Sequence, residues 1–205
     1  MQKNLHAPRA FTLIELLVVI AIIAILIGML FPAFNAVQNQ ARRTQAKNDL
    51  TQIVTAVNAY YTEYGKYPLP AGTTTDTTYG SGSNAELFYT LRAVAGGTMN
   101  AGNAANLRKI VFISPPDAKD QTNSRSGIKT SDGQWYDPWG TPYNVEIDTD
   151  YDNSVPNPYV ALGGSGAGPT LVMQGVIAWS NGLDQLVGGN PENTYTDSDD
   201  VISWQ

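Results

Sequence analysis

From Phe11 through Phe31 the sequence is almost wholly apolar, and its only charge is Glu15. A run of about 21 residues is roughly 31 Å long as a helix, enough to cross the hydrocarbon core of a bilayer. A carboxylate inside such a segment is costly and calls for a partner. A short polar leader carrying Lys3, His6 and Arg9 precedes the run. An ordinary secretory signal fits poorly, because the apolar stretch is too long and no small-x-small site closes it. A plain membrane anchor explains the length and the basic flank but leaves Glu15 without a reason. The leader charges are expected to stay on the cytoplasmic side, which puts the bulk of the chain across the membrane. Arg42, Arg43 and Lys47 lie farther beyond the span and weaken that bias without reversing it.

The 205 residues suit one folded domain plus an anchor. Net charge is −6, and the leader holds two of the basic residues, Lys3 and Arg9. An acidic chain has no general attraction for nucleic acid, so none is expected as a partner, whereas a bound cation is favoured. Cysteine is absent and the only histidine is His6, in the leader. Beyond the leader, the residues most used for nucleophilic attack and proton transfer are therefore missing, and the chain does not read as an enzyme.

Beyond Pro32, apolar residues recur at spacings of three and four: Phe34, Val37, Ala41, Ala46, Leu50, Ile53, Val54, Val57, Tyr60, Tyr61 and Tyr64. This is an amphipathic helical stripe, with Arg42, Arg43, Lys47 and Asp49 marking part of its wet side. Gly65 and the Tyr67-Pro68-Leu69-Pro70 segment end it. The pattern predicts one helix from Phe11 to Tyr64, with a bend near Pro32. Residues 70–84 read as a loop, Glu86–Val94 as a short helix, Met99–Asn106 as a second loop and Ile110–Ile113 as a strand or ordered loop. Asp117–Asp132 reads as irregular, and strands are expected at Tyr143–Ile147, Tyr159–Leu162 and Val176–Trp179. The fold class is α+β: a long N-terminal helix, half transmembrane and half amphipathic, packed against a small antiparallel sheet.

Two acidic runs stand out. Asp148-Thr149-Asp150-Tyr151-Asp152-Asn153 has the spacing that opens an EF-hand loop, but Asn153 replaces the sixth-position glycine and Tyr159 the twelfth-position glutamate. It reads better as a charged hairpin tip. Asp197, Asp199 and Asp200, taken alone, read as a solvated acidic tail.

Four segments together resemble the type IV pilins and, more specifically, the major pseudopilins of type II secretion systems. They are the basic leader with Phe11-Thr12-Leu13-Ile14-Glu15, the Tyr64-Gly65-Lys66-Tyr67-Pro68 helix end, Asp137-Pro138-Trp139-Gly140-Thr141-Pro142-Tyr143, and Trp179-Ser180-Asn181-Gly182-Leu183-Asp184 through Trp204. The resemblance implies a class III signal peptide cut between Ala10 and Phe11, with Ala10 where the family usually has glycine, and N-methylation of Phe11. It implies four segments: a leader at 1–10, a transmembrane and filament-core helix at 11–31, an amphipathic helix at 32–66 and a globular head at 67–205. It implies a Ca²⁺ loop in the head, with Asp184 and Asp199 or Asp200 as carboxylate ligands and backbone carbonyls near Leu183 and Val187, although residues 190–196 lengthen the loop. It implies a structural subunit of a periplasmic filament that drives export of folded proteins, with Glu15 serving assembly. The implied partners are further copies of the chain, minor pseudopilins, a prepilin peptidase, an inner-membrane assembly platform and, before assembly, membrane lipid. The location would be the bacterial inner membrane, with a cytoplasmic N-terminus and a periplasmic head, and then the filament. The alternatives are a type IV pilin for adhesion, twitching or DNA uptake, and a membrane-anchored periplasmic binding module. The absence of cysteine disfavours the many pilins that staple their C-terminal region with a disulfide.

Overall fold

The computed structural model describes residues 11–80, 82–160, 166–188, 194–196 and 198–205, and of residues 30–33 the backbone alone. The leader with Lys3, His6, Arg9 and Ala10, the end of the expected strand at Ala161 and Leu162, Gly189 with residues 190–193, and Asp197 lie outside the described residues. The chain divides into two compact units, Met1–Ala41 and Arg42–Gln205.

Helix α1 (Leu13–Tyr64) is assigned without a break through Pro32. In the first unit its apolar side chains from Leu13 to Met29 are all exposed, Leu13 to 88% and Met29 to 71%. It contains a window long and apolar enough to cross a membrane.

In the second unit the same helix forms one wall of the core. Ala46, Leu50, Ile53, Ala56, Val57 and Tyr60 are buried, the three-and-four spacing having put them on one face. The helix ends where Gly65 takes φ +66 and its N–H bonds the Tyr61 carbonyl at 2.8 Å, a left-handed stop that glycine accepts without strain. Then follow β1 (Thr77–Tyr79), α2 (Ala85–Leu91), β2 (Gly127–Ile128), β3 (Trp135–Tyr136), β4 (Asn144–Ile147), β5 (Val155–Pro156), β6 (Leu171–Val172), β7 (Val176–Ser180) and β8 (Val201–Ile202). The main sheet has the order β1-β4-β7-β8, antiparallel throughout, with Val145 opposite Ala178 and Ser180 opposite Val201. Two small hairpin-like pairs, β2-β3 and β5-β6, flank it.

Strand β7 is buried along its whole length because the sheet is covered on both faces. Val176 and Ala178 join the core built on α1 and on Leu87, Phe88 and Leu91 of α2, whereas Ile177 and Trp179 join a second cluster with Val155, Tyr159, Val172 and Ile202. The period-two alternation of a strand delivers this division, and a doubly covered strand has no polar face to show in its sequence.

Several expectations change here. The 70–84 loop contains the edge strand β1, paired to β4. Tyr159 is a core residue in a turn, not a strand, and its ring packs on Tyr195 and Trp204. Residues 148–153 are not a hairpin tip, because β4 pairs with β1 and β7 while β5 pairs with β6. The expected wet side of α1 is also corrected. Lys47 Nζ donates to the carbonyls of Ile202 (2.7 Å) and Gln205, and Arg43 Nη2 to that of Ser198 (3.0 Å), so both tie the helix to the C-terminal segment.

Asp49 is buried, and its Oδ2 accepts a 2.8 Å bond from the Tyr143 hydroxyl. Burial pushes its carboxyl up to about 6, the Tyr143 bond opposing and the nearby Asp137 carboxylate adding. A folded pKa above the ordinary 3.8 means that this group favours the fold below about 3.8 and loses that contribution as pH rises through about 6. Asp49→Asn keeps an oxygen for Tyr143 and removes the charge. The variant should gain on the order of 1 to 2 kcal/mol at pH 7.5 and nothing at pH 4. Thermal melts at the two pH values check this; a variant less stable than the parent at pH 7.5 would show that the ionised carboxylate is structurally required.

Candidate functional site

Two features carry chemistry, and each lies within its own unit. The first is the start of α1. Thr12 sits at the N-cap and Glu15 at the third helical position. Glu15 Oε2 accepts from the Thr12 amide (2.8 Å) and from its hydroxyl (2.7 Å), while the Glu15 amide donates to Thr12 Oγ1 (3.3 Å). This is a capping box, the reciprocal pairing that satisfies amides left over at a helix start. Sequence reasoning treated Glu15 as a charge in need of an outside partner and missed this local one, although the Thr-x-x-Glu spacing was its signal.

The second feature is the loop that joins β7 to β8. Ser180 pairs with Val201, so the loop between them must return on itself. That return brings carboxylate oxygens of Asp184, Asp199 and Asp200 within 4.8 Å of one another. Asp199 Oδ2 accepts from the Leu183 amide and, at 3.2 Å, from that of Asp184. Gly182, at φ +65, makes room: a Cβ there would lie 2.5 Å from Asp199 Oδ2. Asp184 Oδ1 accepts from the Leu186 amide (2.9 Å) and Asp200 Oδ2 from that of Gly188 (2.7 Å). Leu183 thus meets Asp199 through its amide, and Val187 packs partly into the second core cluster.

Asp200 is the distinctive member, only 5% exposed, with the buried Tyr159 hydroxyl beside it. Burial pushes the Asp200 carboxyl up to about 7, the Gly188 amide and the Tyr159 hydroxyl opposing and the Asp199 and Asp184 carboxylates adding. Burial, with the Asp200 charge second, also holds the Tyr159 phenol well above its usual range. A buried carboxylate beside two others is unfavourable unless a cation joins them. The donors are oxygens without thiolate or imidazole, the set suited to a hard divalent ion such as Ca²⁺. Arg43 and Lys47 contact the same segment through the carbonyls of Ser198, Ile202 and Gln205, leaving the carboxylates to each other.

A second acidic group comprises Asp76, Asp148 and Asp150. Asp152, expected beside Asp148 and Asp150, is not part of it and instead accepts from the Ser154 amide and hydroxyl, both at 2.8 Å. Asp148 accepts from the amides of Tyr151 (2.6 Å) and Asn153 (2.8 Å), and Asp76 accepts from that of Thr149 (3.0 Å). These bonds account for the run as a backbone-binding turn.

The Asp137-Pro138-Trp139-Gly140 segment is the rigid turn that its composition implies, with Trp139 packed in the core. Its organising residue is Asp137. Oδ1 accepts from the amides of Trp139, Gly140 and Thr141 at 2.7 to 2.9 Å, and Oδ2 from the Ser180 hydroxyl at 2.5 Å. Asp137 therefore links this turn to the end of β7, where the acidic loop begins.

The family described as the prokaryotic N-terminal methylation motif matches residues 6–31. The type IV major pilin protein PilA of Myxococcus xanthus (strain DK1622) is 39% identical over 59 residues, 29% of this chain and 27% of that protein. The match thus spans about a quarter of that relative's length. No solved structure matches the chain. The chain carries a prepilin-type N-terminal methylation motif, and its long first helix followed by small antiparallel sheets is a pilin-like α+β architecture.

Proposed function

We propose that this chain is the structural subunit of a type II secretion pseudopilus. The observation that carries the reading is the methylation motif lying on a capped helix start whose apolar side chains from Leu13 to Met29 are exposed. An apolar helix that is exposed in the isolated chain requires a covering, lipid first and then the same helix of other copies. A prepilin peptidase would cut between Ala10 and Phe11 and methylate the new amine. An inner-membrane platform would then lift the subunit into a filament with minor pseudopilins, the heads lying on the periplasmic side.

The secretion reading, rather than a pilus, is supported by the Asp137-centred turn and the acidic loop, both of which this chain builds without a cysteine. In this reading Asp184, Asp199 and Asp200, with carbonyls near Leu183 and Val187, hold Ca²⁺. The ion would supply charge neutralisation to a loop that has little apolar surface of its own. A type IV pilin is the second reading, favoured by the identity to the Myxococcus protein.

Deletion separates the two. Loss of the gene should trap folded exoproteins in the periplasm and leave surface pili and twitching intact. Loss of pili with normal export would reverse the assignment.

The processed chain should begin at Phe11 with one added methyl group. Mass spectrometry of the protein purified from membranes checks this. An intact Met1, or a cut beyond Phe31, would exclude prepilin processing.

A further inference from the structure

In the second unit the charged side chains of α1 are engaged by the head, and the solvent face of the helix is neutral. Arg43 and Lys47 donate to the C-terminal segment, Asp49 is buried against Tyr143, and Glu63 pairs with Arg108. Arg42 is half-buried at a groove that it shares with Pro116 and Asp117. From Gln45 to Thr62, all of them described residues, no exposed side chain of the helix is charged. A helix that faces water ordinarily does the reverse and carries its charges on the outer side. We infer that this outer face is a contact between copies of the chain, covered by a second copy in the assembled filament.

The face consists chiefly of Asn48, Thr51, Gln52, Thr55, Asn58 and Thr62, all exposed and spaced by three and four. Its threonine hydroxyls are turned to their own helix. Thr51 Oγ1 donates to the Lys47 carbonyl (2.9 Å), Thr55 Oγ1 to that of Thr51 (2.7 Å) and Thr62 Oγ1 to that of Asn58 (2.9 Å). With the hydroxyl engaged four residues back, each threonine offers a neighbour its methyl group. Covering the face therefore buries apolar surface and strands no threonine hydroxyl. The amides of Asn48, Gln52 and Asn58 each carry donors and an acceptor, so they can pair with the same residue types across a contact.

Charge selects the occupant. At net charge −6 the copies repel one another, and this face adds no charge to a contact between them. Desolvating an ion is costly, which is why the cores of interfaces are depleted in charged residues. The contact rests on the filament reading, which already gives the exposed side chains from Leu13 to Met29 to further copies, and carries that burial along α1 into the head.

The chain has no cysteine, so Thr55→Cys introduces a single thiol that reports on the face. The full chain carrying it is labelled with a maleimide, first in detergent micelles and then in filaments sheared from cells. Labelling should be at least about tenfold slower in the filaments, since thiol reactivity follows access. Met173→Cys, at an exposed position off the helix, should label alike in both. Thr55→Lys puts a charge on the face and should cut filament yield at least about tenfold, with an unchanged melting temperature in micelles. Thr55→Val keeps the methyl group and the shape and should assemble like the parent. Equal protection at Met173→Cys would show general shielding and overturn the assignment to this face. Unprotected Thr55→Cys in filaments, or a Thr55→Lys chain that assembles like the parent, overturns the inference and leaves the filament reading standing. A parent chain that yields no filaments overturns both.

Discussion

Glu15→Ala should be inserted and cut before Phe11 as usual, yet enter filaments at less than a tenth of the parental yield. Insertion itself becomes easier, since a carboxylate within an apolar span costs a few kcal/mol. What is lost is twofold. The Thr12–Glu15 capping box goes, and with it the partner of the Thr12 amide at the helix start. So does the only charge in the span, whose proposed partner in the filament is the Phe11 amine of the next subunit. Two opposite charges in contact attract one another in a poorly screened setting, and losing that attraction weakens assembly. Glu15→Gln separates the two roles. A glutamine can still accept from the Thr12 amide, as capping boxes use either residue, but it carries no charge. Filament yield measured by shearing and immunoblotting should be low for both variants. A Glu15→Gln chain that assembles like the parent would assign Glu15 to capping alone.

That experiment is needed because the sequence and the structure give Glu15 different reasons to exist. The apolar run made the charge conspicuous, whereas the Thr12 hydroxyl three residues earlier is visible only when the helix start is read as a hydrogen-bonding problem. The same contrast recurs through the fold. The α1 stripe was legible because burial on one helix face leaves a period that survives any detail of the partner, so residues 46 to 60 could be read directly. Asp49 broke that period. Its burial depends on Tyr143, 94 positions away, and no local pattern announces such a bond. Strand β7 was legible from its apolar run, and β4 from Tyr143, Val145 and Ile147 alternating with Asn144 and Glu146. Strands β1 and β8 were not, since a threonine-rich edge and a two-residue strand each depend on the neighbour for their identity. Arg43 and Lys47 show the limit from the other side. A basic residue on an amphipathic helix reads as solvated, and only the return of the C-terminal segment supplies carbonyls for it. For the acidic loop, Asp199 and Asp200 taken alone read as a solvated tail, and only the resemblance set them beside Asp184. The difference in burial between Asp200 and its two neighbours was not legible either, because the second core cluster sets it.

That difference governs the response to calcium. Saturating Ca²⁺ should raise the melting temperature of the full chain in detergent by about 5 to 10 °C at pH 8. Binding at a hundredfold excess over Kd stabilises the fold by about 2.7 kcal/mol, and a head of this size gains about 2 to 4 °C per kcal/mol. The pH dependence follows from Asp200. Without a cation its folded pKa, about 7, stands above the ordinary 3.8, so its contribution is favourable below about 3.8 and is lost as pH rises through about 7. A cation binds the ionised form and reverses that sign, so the calcium-induced shift should be small at pH 5 and grow to its full size by pH 8. Asp200→Asn gives the sharpest contrast. In chelator at pH 8 it should melt above the parent, because an uncompensated buried charge has gone, and it should no longer respond to Ca²⁺. Asp184→Ala with Asp199→Ala should also abolish the response, without that gain tied to the buried carboxyl. A melting temperature indifferent to calcium across this pH range would remove the ion from the loop. A shift that persists in both variants would move it to Asp76, Asp148 and Asp150, a second place among the described residues where three carboxylates meet.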